Sequence, residues 1–406
     1  MSALWRLAMT SRRSMFSFAQ KPLWQLPPNS GPPIPQQERV DEELCPAYNS
    51  ADFYPARPGE VRVKKFQLLT KISWGSQSTV WLARDISRFR WESERTVALK
   101  IINCNDADDV LHEKEIESHI AQQSPEHRGR VILRTCLDDF EITGPEGKHM
   151  CLRRFVDRKL PLPIAKAYIY FLLAGLDYLH SECKVVHAYL KLGNILMSFE
   201  NENILTRFIQ RQQPMHSKID RESGRTIYRC HNDFGALDAK EIKNIVPIIA
   251  DFGLATRLNQ PSTKDGMVGE QLGIYPIQPD YYRAPEVILG CGWDSKADIW
   301  NFGVLALLAK SQVMSEHNWP QPVTNDSGKL CNNSQEFFGG PFFNADDEFR
   351  HNELIPSQSL EDRIPFLEEK DREVFVSFVR QMLTWLPEKR KTAHELMDHP
   401  FLKLRR

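Results

Sequence analysis

No run of this 406-residue chain is long and apolar enough to cross a bilayer, no two cysteines form a C-x-x-C pair, and neither sign of charge accumulates. The first absence argues against a membrane-spanning helix, which needs about 20 apolar residues. The most apolar helical stretch, Ala167 to Leu176, stops at Asp177 and reads as a buried core helix. Eight cysteines scattered singly support neither a zinc site nor a disulfide framework, and they suit a reducing compartment. A formal net charge of -1 gives no electrostatic drive towards nucleic acid or an anionic membrane. A further absence is local: Met1 to Gln37 holds no acidic residue, while Arg6, Arg12, Arg13 and Lys21 stand among serines and large apolar residues. Such a composition suits either a mitochondrial transit peptide or a disordered basic tail. Pro27 to Pro35 then reads as an extended linker, so residues 1–53 are expected to be a tail.

An apolar share of 41% and a charged share of 26% are those of a soluble globular protein, long enough for one large bilobal unit or two ordinary domains. Folded structure is expected from Tyr54-Pro55. Phe66 to Leu69 and Thr79 to Ala83 read as strands flanking the small-residue turn Ser73-Trp74-Gly75-Ser76-Gln77-Ser78. The strand Val97 to Ile102 carries Lys100, an ammonium that is costly in an apolar run unless something satisfies it. By itself Lys100 reads equally well as a strand-edge lysine with its head in solvent. A helix over Val110 to Ala121 follows, with Glu113 and, one turn on, Glu117. Val131 to Leu133 and Met150 to Leu152 read as two more strands joined through the turn Thr143 to Gly147, which gives a five-stranded antiparallel small lobe. Ile164 to Ser181 has helical apolar spacing.

The centre of the chain is His187-Ala188-Tyr189-Leu190-Lys191-Leu192-Gly193-Asn194, held between the apolar runs Val185-Val186 and Ile195 to Met197. Residues 198–244 are polar and read as an insert between two strands of the larger half. Asp-Phe-Gly occurs twice. Asp233 follows no strand, whereas Asp251 follows the strand Ile245 to Ala250 and is the preferred carboxylate. Further on stand Tyr281-Tyr282-Arg283-Ala284-Pro285-Glu286, then Asp298-Ile299-Trp300, and finally Pro387-Glu388-Lys389-Arg390. A buried Glu286–Arg390 pair is expected, since neither charge tolerates burial alone.

This ordered series resembles the eukaryotic protein kinases over Tyr54 to Leu402. Gly75 matches the glycine-rich loop, Lys100 the V-A-I-K lysine, His187 and Asn194 the H-R-D-L-x-x-x-N loop, Asp251 the metal motif and Glu286 the A-P-E motif. More narrowly it is similar to the SR-protein kinases and their fungal relatives, in Trp74-Gly75, Ser78 to Asp85, Leu179 to Cys183, Ile277 to Glu286 and Leu386 to Ala393. The resemblance implies an α+β bilobal fold. A small antiparallel β lobe with one helix (54–152) precedes a larger, mainly helical lobe (153–402). ATP would sit against Ser73, Gly75, Ser78, Val80 and Lys100, with Glu113 as the carboxylate for that lysine. Mg²⁺ would sit on Asn194 and Asp251, and Lys191 near the transferring phosphoryl. Serines of Arg-Ser-rich proteins, or basic peptides, are the implied partners. A monomer in cytoplasm and nucleus is expected, with the mitochondrion as the alternative address.

The departures carry as much as the matches. Tyr189 stands where the family has the aspartate that accepts the substrate's proton. A phenol, with an ordinary pKa of about 10, is no substitute at neutral pH, and general-base help is worth about 10²–10⁴-fold. Phosphoryl transfer is therefore expected to be weak or absent, and a pseudokinase that holds partners is the rival reading. The bland expectation for Tyr189 is a ring packed under its loop with the hydroxyl bonded to a carbonyl. Ala188 lacks the arginine that reads a phosphorylated activation segment, although Ser262 and Thr263 remain available there. The segment between Leu152 and Pro163 is also too short for the family's adenine-binding hinge and its following helix, and Lys310 to Asn318 is short as well.

Overall fold

In the computed structural model, residues 20–26, 31–45, 48–105, 107–137, 139–154, 165–199, 201, 203–211, 214–235, 244–258, 272–273, 275–308, 323–324, 330–331, 360–361, 364 and 367–403 are described. The chain divides into two compact units. The first comprises residues 1–112, 136–158 and 198–245, the second 113–135, 159–197 and 246–406. The segments 155–163 and 310–318, and Ser262 and Thr263, lie outside the described residues.

The first unit is built on a six-stranded sheet in the order β1-β2-β3-β4-β6-β5. Its strands are β1 (Val61–Arg62), β2 (Phe66–Gly75), β3 (Ser78–Asp85), β4 (Thr96–Ile102), β5 (Asp139–Thr143) and β6 (Lys148–Arg154). All pairings are antiparallel. β-Branched and aromatic residues, with two leucines, supply its core: Phe66, Leu68, Trp81, Val97, Leu99 and Ile101 are buried together. The expected turn exists, with Gly144 N–H donating to Gly147 O at 2.7 Å, but the strand before it is β5. Val131 to Leu133 is no strand of this sheet. Arg128–Ile132 forms a 3-10 turn in the second unit, with the His127 side chain accepting from Gly129 N–H. A short β-branched run fits either structure, and here Ile132 is buried against Leu172, Leu173 and Leu176. β5 escaped detection because Asp139 and Glu141 break its apolar pattern and only Ile142 is buried, as an edge strand permits.

Helix α1 (Ala107–Gln122) continues the chain, followed in the second unit by α2 (Ala165–Asp177). The α-helical part of α2 is shorter than expected, because a π-helical turn over Tyr178–Cys183 ends at Lys184 with φ of 53°. β7 (Val185–Val186) and β8 (Ile195–Met197) then flank the central loop. The insert carries α3 (Asn203–Gln210) and the hairpin β9 (Ser217–Ile219) with β10 (Thr226–Tyr228). It departs from the second unit, since β8 pairs with β11 (Pro247–Ile249) across it, yet its residues cluster with the first. Met215 and Tyr228 join the sheet core, and Phe208 packs with Leu69, Ile72, Leu82 and Ala98.

The N-terminal expectation also needs correction. Ile34 and Val40 are buried with Ile227, Pro33 bridges Ser217, and Lys21 pairs with Glu94 at 2.9 Å. Residues 20–26, 31–45 and 48–53 thus cluster with the first unit, and Pro33, bridged to Ser217, is docked on the insert rather than set in a free linker; residues 27–30 lie outside the described residues.

The second unit continues with β12 (Thr256–Arg257), paired with β7, then α4 (Pro285–Leu289), α5 (Lys296–Leu308), α6 (Glu369–Arg380) and α7 (Ala393–Met397). α4 starts with Pro285 at its first position and stops at Gly290, whose φ of 66° ends the helix. Its core joins Leu173, Leu176, Phe302, Phe378 and Met382, each buried to at least 99%. Among the described residues no helix is long and apolar enough to cross a membrane, and no disulfide links the cysteines.

Candidate functional site

The central loop is held by its backbone. Asp298, with no solvent exposure, accepts from His187 N–H at 2.7 Å and Ala188 N–H at 3.0 Å, and pairs with His180 Nε2 at 2.9 Å. Asn301 Nδ2 donates to Leu190 O at 2.7 Å, and Gln278 N–H donates to Ala188 O at 2.9 Å. Gln278 is itself fixed by Nε2–H to Ala297 O and by accepting from Ala284 N–H. The His187 imidazole lies against Phe252, with Nε2 bonded to Ala250 O at 3.2 Å. Nδ1 accepts from Tyr189 N–H at 3.3 Å, so Nε2 carries the proton. Burial holds His187 below the usual histidine pKa, which keeps it neutral.

Ala188, Asp251 and Gln278 have φ of 63°, 72° and 70°. Left-handed backbone at non-glycine residues costs of order 1–3 kcal/mol each and gathers at functional sites. The hydrogen bonds just described keep Ala188 and Gln278 there.

Tyr189 occupies the third loop position and is half-buried. Lys191 Nζ stands 4.8 Å from the Tyr189 ring centroid, a cation–π contact that the sequence did not announce. Asn194 Nδ2 donates to Tyr189 O at 2.9 Å, which directs its Oδ1 elsewhere.

Asn194 and Asp251 stand at the same end of the β8–β11 strand pair. Ile195 faces Ile249 in the β8–β11 register, and Ala250 N–H donates to Asn194 O at 2.9 Å. The chain thus brings an amide oxygen and a carboxylate to the same edge. Among the described residues no three His, Cys, Asp or Glu side chains form a metal cluster. Mg²⁺ does not need one, because it takes one or two protein oxygens with water and phosphate completing the shell. These two donors fit that ion. The rival Asp233 is exposed and closes a local turn, its Oδ1 accepting from Gly235 N–H at 2.9 Å, while Phe234 packs on Phe199 and Phe208.

Glu286 and Arg390 form the expected buried fork. Arg390 donates to both carboxylate oxygens at 2.6 and 2.7 Å, with further bonds to Thr384 O, Lys296 O and Trp385 O.

In the first unit, Gly75 faces Ser78, Trp74 faces Thr79 and Ser73 faces Val80, so Ser76-Gln77 is a two-residue hairpin loop. Gly75 does not have positive φ, and a Cβ there would meet only Ser78 Oγ at 3.4 Å. The hairpin itself therefore has no need of glycine at 75. Lys100 lies on β4 between Val80 of β3 and Leu152 of β6, half-buried. Glu113 and Glu117 are both buried, one turn apart on α1 in the second unit.

Sequence reasoning missed Gln278, Asn301 and His180 as holders of the loop. A polar residue inside an apolar helix, as Asn301 is between Trp300 and Phe302, was the available signal. Exposed Glu368 and Glu369 stand at the N-terminus of α6, where acids complement the helix dipole, so the solvated-face reading suffices for them. The cluster Asp346 to Glu348 lies outside the described residues.

Comparison with known proteins places these features in context. The family described as "Protein tyrosine and serine/threonine kinase" matches residues 66–308, and "Protein kinase domain" matches residues 238–402. A serine/threonine protein kinase of Aspergillus fumigatus is 30% identical over 398 residues, covering 90% of this chain and 91% of that protein. The serine/threonine-protein kinase SRPK of Physarum polycephalum is 27% identical over 412 residues, covering 89% and 91%. A solved kinase domain superposes with a TM-score of 0.55 at 19% identity, covering 87% of this chain and all of that one.

Proposed function

We propose that this chain, which belongs to the protein kinase family and is of the serine/threonine, SR-kinase type, binds Mg-ATP but transfers phosphate to serine weakly or not at all. The carrying observation is Tyr189. A carboxylate is needed at that loop position to take the hydroxyl proton, and the side chain present is a half-buried phenol whose ring meets Lys191 instead. Bound Mg-ATP would supply the γ-phosphoryl group. Phosphoryl transfer depends mainly on positioning and charge neutralisation, and the residues for that are retained. Ser73, Gly75, Ser78 and Val80 would face the nucleotide, Lys100 and Glu113 would serve its phosphates, and Asn194 and Asp251 would hold the metal. A glycine that the hairpin does not require is free to let a ligand approach the backbone.

The engagement of Lys191 with the Tyr189 ring favours a second reading, a pseudokinase that keeps the nucleotide and acts by holding partners. Arg-Ser-rich or basic segments would be bound in either case, by a monomer without nucleic-acid or membrane affinity.

Phosphate transfer from radiolabelled ATP to an Arg-Ser-rich peptide tests the reading, with the unaltered chain beside Tyr189→Asp. The variant is expected to be faster by about 10²–10⁴-fold, the worth of a general base. Equal rates would overturn the impairment. Mg-ATP at about 100 times its Kd is expected to stabilise the unaltered chain by about 2.7 kcal/mol; the absence of any thermal shift would remove nucleotide binding from both readings.

A further inference from the structure

Lys71 lies in β2, two residues before the hairpin that begins at Ser73, and its side chain is 1% exposed. β1 covers β2 at Phe66 and Gln67, and the Gly59-Glu60 backbone extends that cover to Leu68, so the edge beyond Leu68 needs another partner. The insert closes that edge. His231 N–H donates to Lys71 O at 2.8 Å, and Met215 Sδ accepts from Lys71 N–H at 3.3 Å and Thr70 Oγ1–H at 2.9 Å.

The Lys71 ammonium is gripped from two directions. Tyr228 O of the insert accepts from it at 2.8 Å, while Asp41 Oδ2 at 3.0 Å and Glu42 come from the N-terminal segment. Glu42, with no exposure, also binds Arg225 of the insert hairpin at 2.8 Å, and Arg225 donates to Tyr48 Oη at 3.1 Å. Asp41 has φ of 55° and accepts from Cys230 N–H at 2.6 Å. Burial works to raise the Glu42 pKa, yet Lys71 and Arg225 pull it below the ordinary carboxylate value. Two cations and two anions therefore balance only when β2, the insert and residues 41–42 are assembled. Apolar residues would fill this space with less desolvation; what an ionic cluster adds is a defined geometry.

We propose that Lys71, Glu42 and Arg225 are positioning residues for the Ser73–Ser78 hairpin. The N-terminal segment and the insert form a two-part brace on the edge of β2, and displacement of either part loosens the hairpin and weakens nucleotide binding. The affinity half of this rests on the Mg-ATP reading above; the ordering half does not.

Two measurements on the full chain separate them: amide hydrogen exchange over residues 72–78, and Mg-ATP affinity by calorimetry. Glu42→Gln is expected to speed exchange in the hairpin by about tenfold and weaken Mg-ATP by about fivefold or more, with exchange in α2 and α5 unchanged. Arg225→Gln, at the rim of the cluster, is expected to act in the same direction more mildly, and Arg225→Lys to retain most of both properties. Should Glu42→Gln fail to fold, the Arg225 pair decides. Unchanged hairpin exchange in the variants would overturn the brace. Faster exchange with unchanged affinity would overturn the positioning role and leave a structural one. If the unaltered chain binds no Mg-ATP, the nucleotide reading falls, and the exchange result alone rules on the brace.

Discussion

Arg390 spends every donor of its guanidinium inside the protein, on Glu286 and on the carbonyls of Thr384, Lys296 and Trp385. Replacing Glu286 by alanine leaves that cation buried without its counter-ion. Loss of one partner of such a pair typically costs about 3–5 kcal/mol, and urea unfolding of Glu286→Ala is expected to show a loss of that size. The double replacement Glu286→Leu with Arg390→Met is expected to be less destabilising than Glu286→Ala alone, because no charge is stranded; a larger loss would contradict the argument. This pair was legible in sequence, since both residues stand in motifs with characteristic neighbours. The contact of Lys191 with the Tyr189 ring was not, because the direction of a ring depends on what surrounds it.

At the scale of elements, the glycine whose packing is tightest among the described residues is not one that the motifs mark. Gly129, in the 3-10 turn over Arg128–Ile132, lies so close to α2 that a Cβ would stand 1.8 Å from Ala174 O. Backbone cannot yield as a side-chain tip can, so Gly129→Ala must push the turn off the helix. A cost of about 1–3 kcal/mol is expected, as for other overpacked sites. Gly253 of the Asp-Phe-Gly motif has nothing within 4 Å of its added Cβ and no positive φ. Gly253→Ala is expected to stay within about 0.5 kcal/mol of the unaltered chain, and thermal unfolding of both variants checks the contrast. Strand identity followed the same division. β2, β3, β4 and β11 were readable from apolar runs, while the edge strand β5 was hidden by its charged residues and the β-branched run before it became a 3-10 turn.

At the scale of the whole molecule, the acid-free N-terminus bears on where the chain works. We propose that the full chain is found in cytoplasm and nucleus, as the resemblance to SR-protein kinases implies. Residues 20–26 and 31–45 are built into the first unit through Lys21, Ile34, Val40 and Glu42. Removing all of 1–37 as a leader would strip contacts from that unit. A fluorescent reporter carrying residues 1–37 is therefore expected to stay out of mitochondria, and import seen by microscopy would reverse the assignment.

What the sequence determined by itself is the order and spacing of Gly75, Lys100, His187, Asn194, Asp251, Glu286 and Arg390, the wrong residue at 189, and hence family and fold. Those signals are local, a few residues on a loop or strand, and survive without coordinates. Only the tertiary structure decided that the insert and the N-terminal segment belong to the sheet-bearing unit. Glu42 meets Lys71 from 29 residues away and Arg225 from 183. Each reads in the chain as an ordinary surface charge, and only folding removes the water that would otherwise have solvated it.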